Sequence, residues 1–116
     1  MSESHFDYSV SQKGEVYVIV IHDSRLDSTK APRFKTELLR VIAGGAKKIL
    51  INLRDVETID SSGLGILTFG RRQMDDNGGT IAVCCLQDKV LRLFNIAKLD
   101  RVFSVFDTEE EGVKNL

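Results

Sequence analysis

Residues 47–79 read KKILINLRDVETIDSSGLGILTFGRRQMDDNGG. Two lysines introduce Ile49-Leu50-Ile51-Asn52-Leu53, a short and almost wholly apolar run of the kind found in strands covered on both faces. This run predicts the central strand of a sheet. Asp60-Ser61-Ser62-Gly63 then leads into Leu64, Ile66, Leu67, Phe69 and Met74, and the pattern closes at Asn77-Gly78-Gly79. The spacing predicts a helix framed by capping residues at both ends. Thr80 to Leu86 follows as another buried strand, so the stretch carries a β-α-β unit.

Working outward, Phe6 to Val10 and Val16 to Ile21 are two β-rich runs separated by Gln12, Lys13, Gly14 and Glu15. That composition predicts an antiparallel hairpin. Asp27-Ser28-Thr29 is a cluster of good N-caps, and Pro32 falls in the first turn, where its missing N–H does no harm. Phe34, Leu38, Val41 and Ile42 then recur at helical spacing with charged residues between them, up to a stop at Gly44-Gly45. On the C-terminal side, Asp88 to Ala97 reads as a third helix and Val102 to Phe106 as an edge strand. From Asp107 to Leu116 a short terminal helix is expected, with Glu109, Glu110 and Glu111 complementing the dipole at its start. The fold class is α/β: a small mixed sheet, an N-terminal antiparallel hairpin followed by β-α-β units, covered by about four helices. Residues 1–116 are expected to form one domain, a size able to bury roughly two-thirds of the unfolded surface.

Composition removes several kinds of function. The charged fraction is 28%, with 16 basic and 17 acidic residues mixed along the chain for a net charge of −1. No basic stripe attracts a phosphate backbone, so direct nucleic-acid binding is not expected. No apolar run approaches the roughly 20 residues that cross a bilayer. The N-terminal segment carries Glu3, His5 and Asp7 where a secretory signal has basic and then apolar residues, so a cytoplasmic location is expected. Cys84 and Cys85 are adjacent in an apolar stretch and read as core packing. His5 and His22 lack metal-ligand spacing and read as surface or strand-end residues.

The sequence carries little catalytic apparatus. No glycine-rich loop ends in Lys-Ser or Lys-Thr, and Gly63-Leu64-Gly65 lacks the third glycine of a dinucleotide fingerprint. Ser61 and Ser62 precede a helix, but Ile59 and Asp60 stand where a nucleophile elbow requires glycine. Asp75-Asp76 is surface charge at a helix end. What remains is Asp60-Ser61-Ser62-Gly63-Leu64-Gly65, between a buried strand and an amphipathic helix. Two readings of it are open. The first is a helix cap. The second is a phosphorylation switch, because a helix N-terminus offers N–H groups and a partial positive charge that suit a phosphate on Ser61.

Ile59-Asp60-Ser61-Ser62-Gly63-Leu64-Gly65 resembles the phosphoacceptor motif of the STAS family, the sulphate transporter and anti-sigma factor antagonist domains. The similarity extends to the Ile49–Leu53 strand, the Gly78-Gly79 turn before Ile81-Ala82-Val83, and Val90-Leu91-Arg92-Leu93-Phe94 leading to Leu99, and so to nearly the whole chain. It implies that the serine after the motif's Asp, here Ser61, is phosphorylated by an anti-sigma factor that is also a kinase of the histidine-kinase-like ATPase fold. It further implies that the unphosphorylated protein binds that anti-sigma factor and frees a sigma factor, and that a metal-dependent serine phosphatase resets the phosphorylated form. Asp27, Asp60, Ser62, Gly63 and Leu64 are the implied partner-binding residues around Ser61. Asp27 belongs to a kept Leu-Asp pair and is placed beside the Ser61 loop; helix capping is its other reading. The chain carries Asp23-Ser24-Arg25 where family members often have a glycine.

On this reading the protein is not an enzyme, needs no cofactor, and runs as a monomer or weak dimer. Three other readings differ in what they predict. A non-switching scaffold of the same fold self-assembles into large particles, and a signalling module of this kind could also control a non-transcriptional output. The tail of an anion transporter needs a membrane part, against which a Met1 start and a complete fold in 116 residues weigh. An enzyme with Ser61 or Ser62 as nucleophile turns over ester substrates.

Overall fold

The structure, a computed structural model, describes residues 5–116; residues 1–4, including the Glu3 of the N-terminal reading, lie outside them. In chain order the elements are strand β1 (Tyr8–Lys13), β2 (Val16–Ile21), β3 (Arg25–Leu26), helix α1 (Ala31–Ala43), β4 (Lys48–Asn52), β5 (Thr58–Ile59), α2 (Ser61–Asp76), β6 (Thr80–Cys84), α3 (Asp88–Ile96), a 3-10 turn (Leu99–Arg101), β7 (Ser104–Phe106) and α4 (Glu109–Asn115). Five strands form a sheet in the order β1-β2-β4-β6-β7, with β1 antiparallel to β2 and every other pair parallel. The expected mixed α/β sheet is present, and β4 is its middle strand.

Register explains why β4 is apolar throughout. Tyr17, Ile49 and Ile81 stand side by side, as do Ile19, Ile51 and Val83, on the face covered by α1, α2 and α3. Val18, Leu50 and Ala82 form the matching row on the opposite face, where α4 lies with Val113 and Leu116. Ile49, Leu50 and Ile51 are all fully buried, each contributing about 1.5–3 kcal/mol by leaving water. Phe34 and Leu38 of α1, Leu67 and Met74 of α2, and Val90 and Phe94 of α3 fill the thicker side. Gly70 lets α1 and α2 close up: a Cβ there would stand 2.5 Å from Leu38 Cδ2.

Several boundaries differ from the sequence reading, each for a local reason. Gln12 and Lys13 are strand residues, and the hairpin turns on Gly14 and Glu15 alone, with Gly14 at φ +63°, the sign that short β-hairpin turns require. Phe6 lies before β1, buried and stacked on Tyr8. Asp27-Ser28-Thr29 does not cap α1 directly: the first helical residue is Ala31, and Lys30 precedes it as an N-cap without a side-chain bond. β6 stops at Cys84 because Cys85 turns to φ +62°. Val102 and Phe103 of the expected edge strand donate their N–H groups to Leu99 O and close the 3-10 turn, leaving only Ser104–Phe106 as β7. Cys84 packs in the apolar layer under α4, and burial pushes its thiol pKa up; Cys85 is half-buried.

Candidate functional site

The corner around Ser61 is built by β3 and β5, a two-stranded parallel pair outside the main sheet that joins Arg25 to Thr58 and Leu26 to Ile59. The carbonyl of Ser24 accepts from the N–H groups of Glu57 (2.8 Å) and Thr58 (3.1 Å), and Leu26 O accepts from Asp60 N–H (3.3 Å). These bonds fuse the loop leaving β2 to the loop leaving β4. No residue from 23 to 25 has a positive φ, so the glycine absent there is not needed by the backbone. His22 adds a tie at the foot of the corner, its Nδ1 3.2 Å from Asp55 Oδ2 and its Nε2 3.1 Å from Ser9 Oγ.

Asp60 is the node. As N-cap of α2 it accepts through Oδ1 from Ser62 N–H (2.8 Å) and Gly63 N–H (3.1 Å), while Oδ2 accepts from Ser28 N–H (3.2 Å). One carboxylate thus closes the start of α2 and holds the loop before α1. Ser61 is the first residue of α2 and is exposed. Ser62 is half-buried, and Leu64 is half-buried against the core cluster. Gly63 is buried beneath the corner: a Cβ at that position would stand 2.4 Å from Leu26 O and 2.8 Å from Ile59 Cγ2. It presents no side chain to a partner; it lets α2 rest on β3.

Asp27 sits in the loop that Asp60 holds, linked to it through the adjacent Ser28. Its Oδ1 accepts from Thr29 N–H (3.0 Å) and Thr29 Oγ1–H (2.6 Å), and its carbonyl accepts from Lys30 and Ala31 N–H. The residue makes an Asx-type turn that delivers the chain into α1. The Thr29 hydroxyl, foremost, holds the Asp27 carboxyl below its ordinary range. Three N–H groups at the start of α2 are engaged: Ser62 and Gly63 donate to the Asp60 side chain and Leu64 to Asp60 O. A phosphate on Ser61 therefore meets a helix terminus that a carboxylate occupies.

The structure brings Asp27, Asp60 and Ser61 into one corner through contacts that the sequence does not show. Ser28 contributes only a backbone N–H, and β3 and β5 are too short to show a period. Beside the corner, Ile59, Val90 and Leu93 line a shallow groove between β5 and α3 rimmed by Glu57 and Lys89. Among the described residues no three His, Cys, Asp or Glu side chains stand together as metal ligands, and no helix is long and apolar enough to cross a membrane.

The chain is similar to known proteins over most of its length. The model of the STAS domain matches residues 7–112. A Thermotoga neapolitana protein provisionally named an anti-sigma factor antagonist is 31% identical over 103 residues, covering 88% of this chain and 91% of its own. The anti-sigma-B factor antagonist of Bacillus subtilis is 29% identical over 89 residues, covering 77% and 81%. The structure of the phosphorylated form of the Bacillus cell fate determinant SpoIIAA superposes with a TM-score of 0.73 at 21% identity, over 93% of this chain and 97% of its own, and shares the fold.

Proposed function

Because the chain belongs to the STAS domain family, we propose that it is an anti-sigma factor antagonist whose binding surface is switched by phosphorylation of Ser61. The observation that carries this reading is the placing of Ser61: exposed, first in α2, and next to a carboxylate that organises both loops of the corner. The existence of a phosphorylated form of the Bacillus relative supports it. In this reading the partner is an anti-sigma factor with a histidine-kinase-like ATPase fold, which is bound when Ser61 is free and phosphorylates it in turn. A metal-dependent serine phosphatase restores the free form, and the exchange takes place in the cytoplasm. Asp27, Asp60, Ser62 and Leu64 surround Ser61 in the contact, and the chain itself supplies no catalysis.

The switch works by charge. Phosphorylation adds about −1.5 to −2 charges to a surface that already holds Asp60 and an ionised Asp27. Burying that charge unpaired, or against like charge, costs several kcal/mol, and each 1.4 kcal/mol weakens binding about tenfold. The test is to recover the anti-sigma factor from the native host on the tagged protein and to measure its affinity for the wild type, Ser61→Ala and Ser61→Asp, with intact-mass spectrometry after incubation with ATP. Ser61→Asp should bind about a hundredfold more weakly, Ser61→Ala should stay bound, and only the wild type should gain one phosphate. Equal affinities for all three forms, with no phosphate gained, contradict the switch.

A further inference from the structure

We propose that Asp60 couples Ser61 to the loop before α1, so that a phosphate on Ser61 detaches the Asp60 carboxylate from Ser28 and frees residues 27–30 as well as changing the charge of the surface. The inference rests on the reading of Ser61 as the switch and says how its state reaches the neighbouring loop.

Three features of the corner lead there. First, Asp60 divides one carboxylate between two backbone segments: Ser62 and Gly63 at 2.8 and 3.1 Å on one oxygen, Ser28 at 3.2 Å on the other. The Ser28 bond is the longest and stands alone on its oxygen. Second, phosphoserine adds three strong acceptor oxygens one residue from this carboxylate. The α2 N–H groups one and two residues beyond Ser61, those of Ser62 and Gly63, are the ones Asp60 holds, so the phosphate competes for them, and the like charges repel. Competition and repulsion both displace the same side chain. Third, the rest of the corner does not depend on it. β3 remains paired with β5, Asp60 N–H still donates to Leu26 O, and Gly63 stays packed on Leu26. Beyond the loop, Ala31 and Phe34 anchor α1 in the core. The release is confined to Asp27–Lys30, and Asp27, one of the residues assigned to the partner contact, moves with it. Its own turn travels intact, since Thr29 bonds to Asp27 rather than to Asp60.

The experiment needs no kinase. Phosphoserine is installed at position 61 by genetic encoding, and amide hydrogen exchange is read by NMR for the phosphorylated and unmodified proteins. Exchange at Ser28 should rise about tenfold, the loss expected for one charge-assisted hydrogen bond, while Thr29 and the β4 amide of Ile51 stay unchanged. Unphosphorylated Asp60→Ala should reproduce the rise at Ser28. Asp60→Asn, which keeps an oxygen acceptor without the charge, should respond less to the phosphate than the wild type. Unchanged protection of Ser28 on phosphorylation overturns the coupling, even if partner affinity falls, and leaves the switch acting by direct repulsion alone. A released Ser28 with undiminished partner affinity supports the coupling and contradicts the switch.

Discussion

Gly63 and Gly112 each let a helix lie against the body of the fold, but they meet different neighbours. At Gly63 an added Cβ runs into the Leu26 carbonyl at 2.4 Å, a backbone atom fixed by the β3–β5 pair. At Gly112 in α4 it meets the end of the Leu50 side chain, at 2.6 Å from Cδ2 and 2.7 Å from Cδ1. A side-chain end turns among rotamers; a paired backbone does not. The polar ties differ in the same way. Asp60 binds three backbone N–H groups, whereas Glu109 at the start of α4 binds the side chains of Lys13 and Asn52. The corner carrying Ser61 is therefore held on backbone groups, by strand pairing and by one carboxylate. The α4 side is held by side-chain fit, which tolerates more change.

The largest expected effect comes from Gly63→Ala, which should destabilise the protein by about 3 kcal/mol, at the upper end of overpacking because no rotamer relieves the clash. Equilibrium urea unfolding measures it, and a loss below about 1 kcal/mol would break the contrast. Asp60→Ala comes next at about 1.5 kcal/mol, the cost of a lost N-cap to which the Ser28 bond adds. Gly112→Ala should cost less than either, about 1 kcal/mol net, since adjustment of Leu50 limits the overpacking and alanine recovers about 0.5–1 kcal/mol of helix entropy. A Gly112→Ala loss equal to that of Gly63→Ala would show that fully buried Leu50 is as rigid as a paired carbonyl.

The same distinction separates what was legible in the sequence from what was not. α2 was readable because its cap, its apolar period and its Asn-Gly-Gly stop are all local and agree with one another. β4 was readable because burial on both faces leaves a run without alternation. The β1–β2 turn was misjudged in extent because Gln12 and Lys13 lie exposed on an edge strand, where their composition is that of a loop. Asp27 was read as a possible cap because the residues that cap a helix also make Asx turns; only the position of Ala31 distinguishes the two. Asp60 and Ser61 stood out as side chains. Their link to the α1 loop did not, because it ends on the N–H of Ser28, a group every non-proline residue carries.

The smallest effect separates the two carboxylates that keep a low pKa among the described residues, one on each side of the comparison. The Glu109 carboxyl is held below its ordinary 4.5 first by the Lys13 ammonium and then by Asn52; Asp27 is held down chiefly by the hydroxyl and N–H of Thr29. For a group whose folded pKa is depressed, the stabilisation is in place above the unfolded value and is lost as pH falls through the folded one. Glu109→Gln should therefore flatten the acid limb of the stability curve below about pH 4.5 and leave neutral pH less affected than Gly112→Ala does. Salt then tells the sides apart. At about 1 M the screening length falls to about 3 Å, so the partly exposed Lys13–Glu109 pair should weaken and the Glu109 carboxyl should titrate closer to its ordinary value. Asp27, held chiefly by the neutral donors of Thr29 with the Arg25 charge the last of its causes, should move less. NMR titration of both carboxyl carbons at low and high salt measures this, and an Asp27 shift as large as that of Glu109 would mean that the Ser61 corner also depends on charge pairing rather than on its turn.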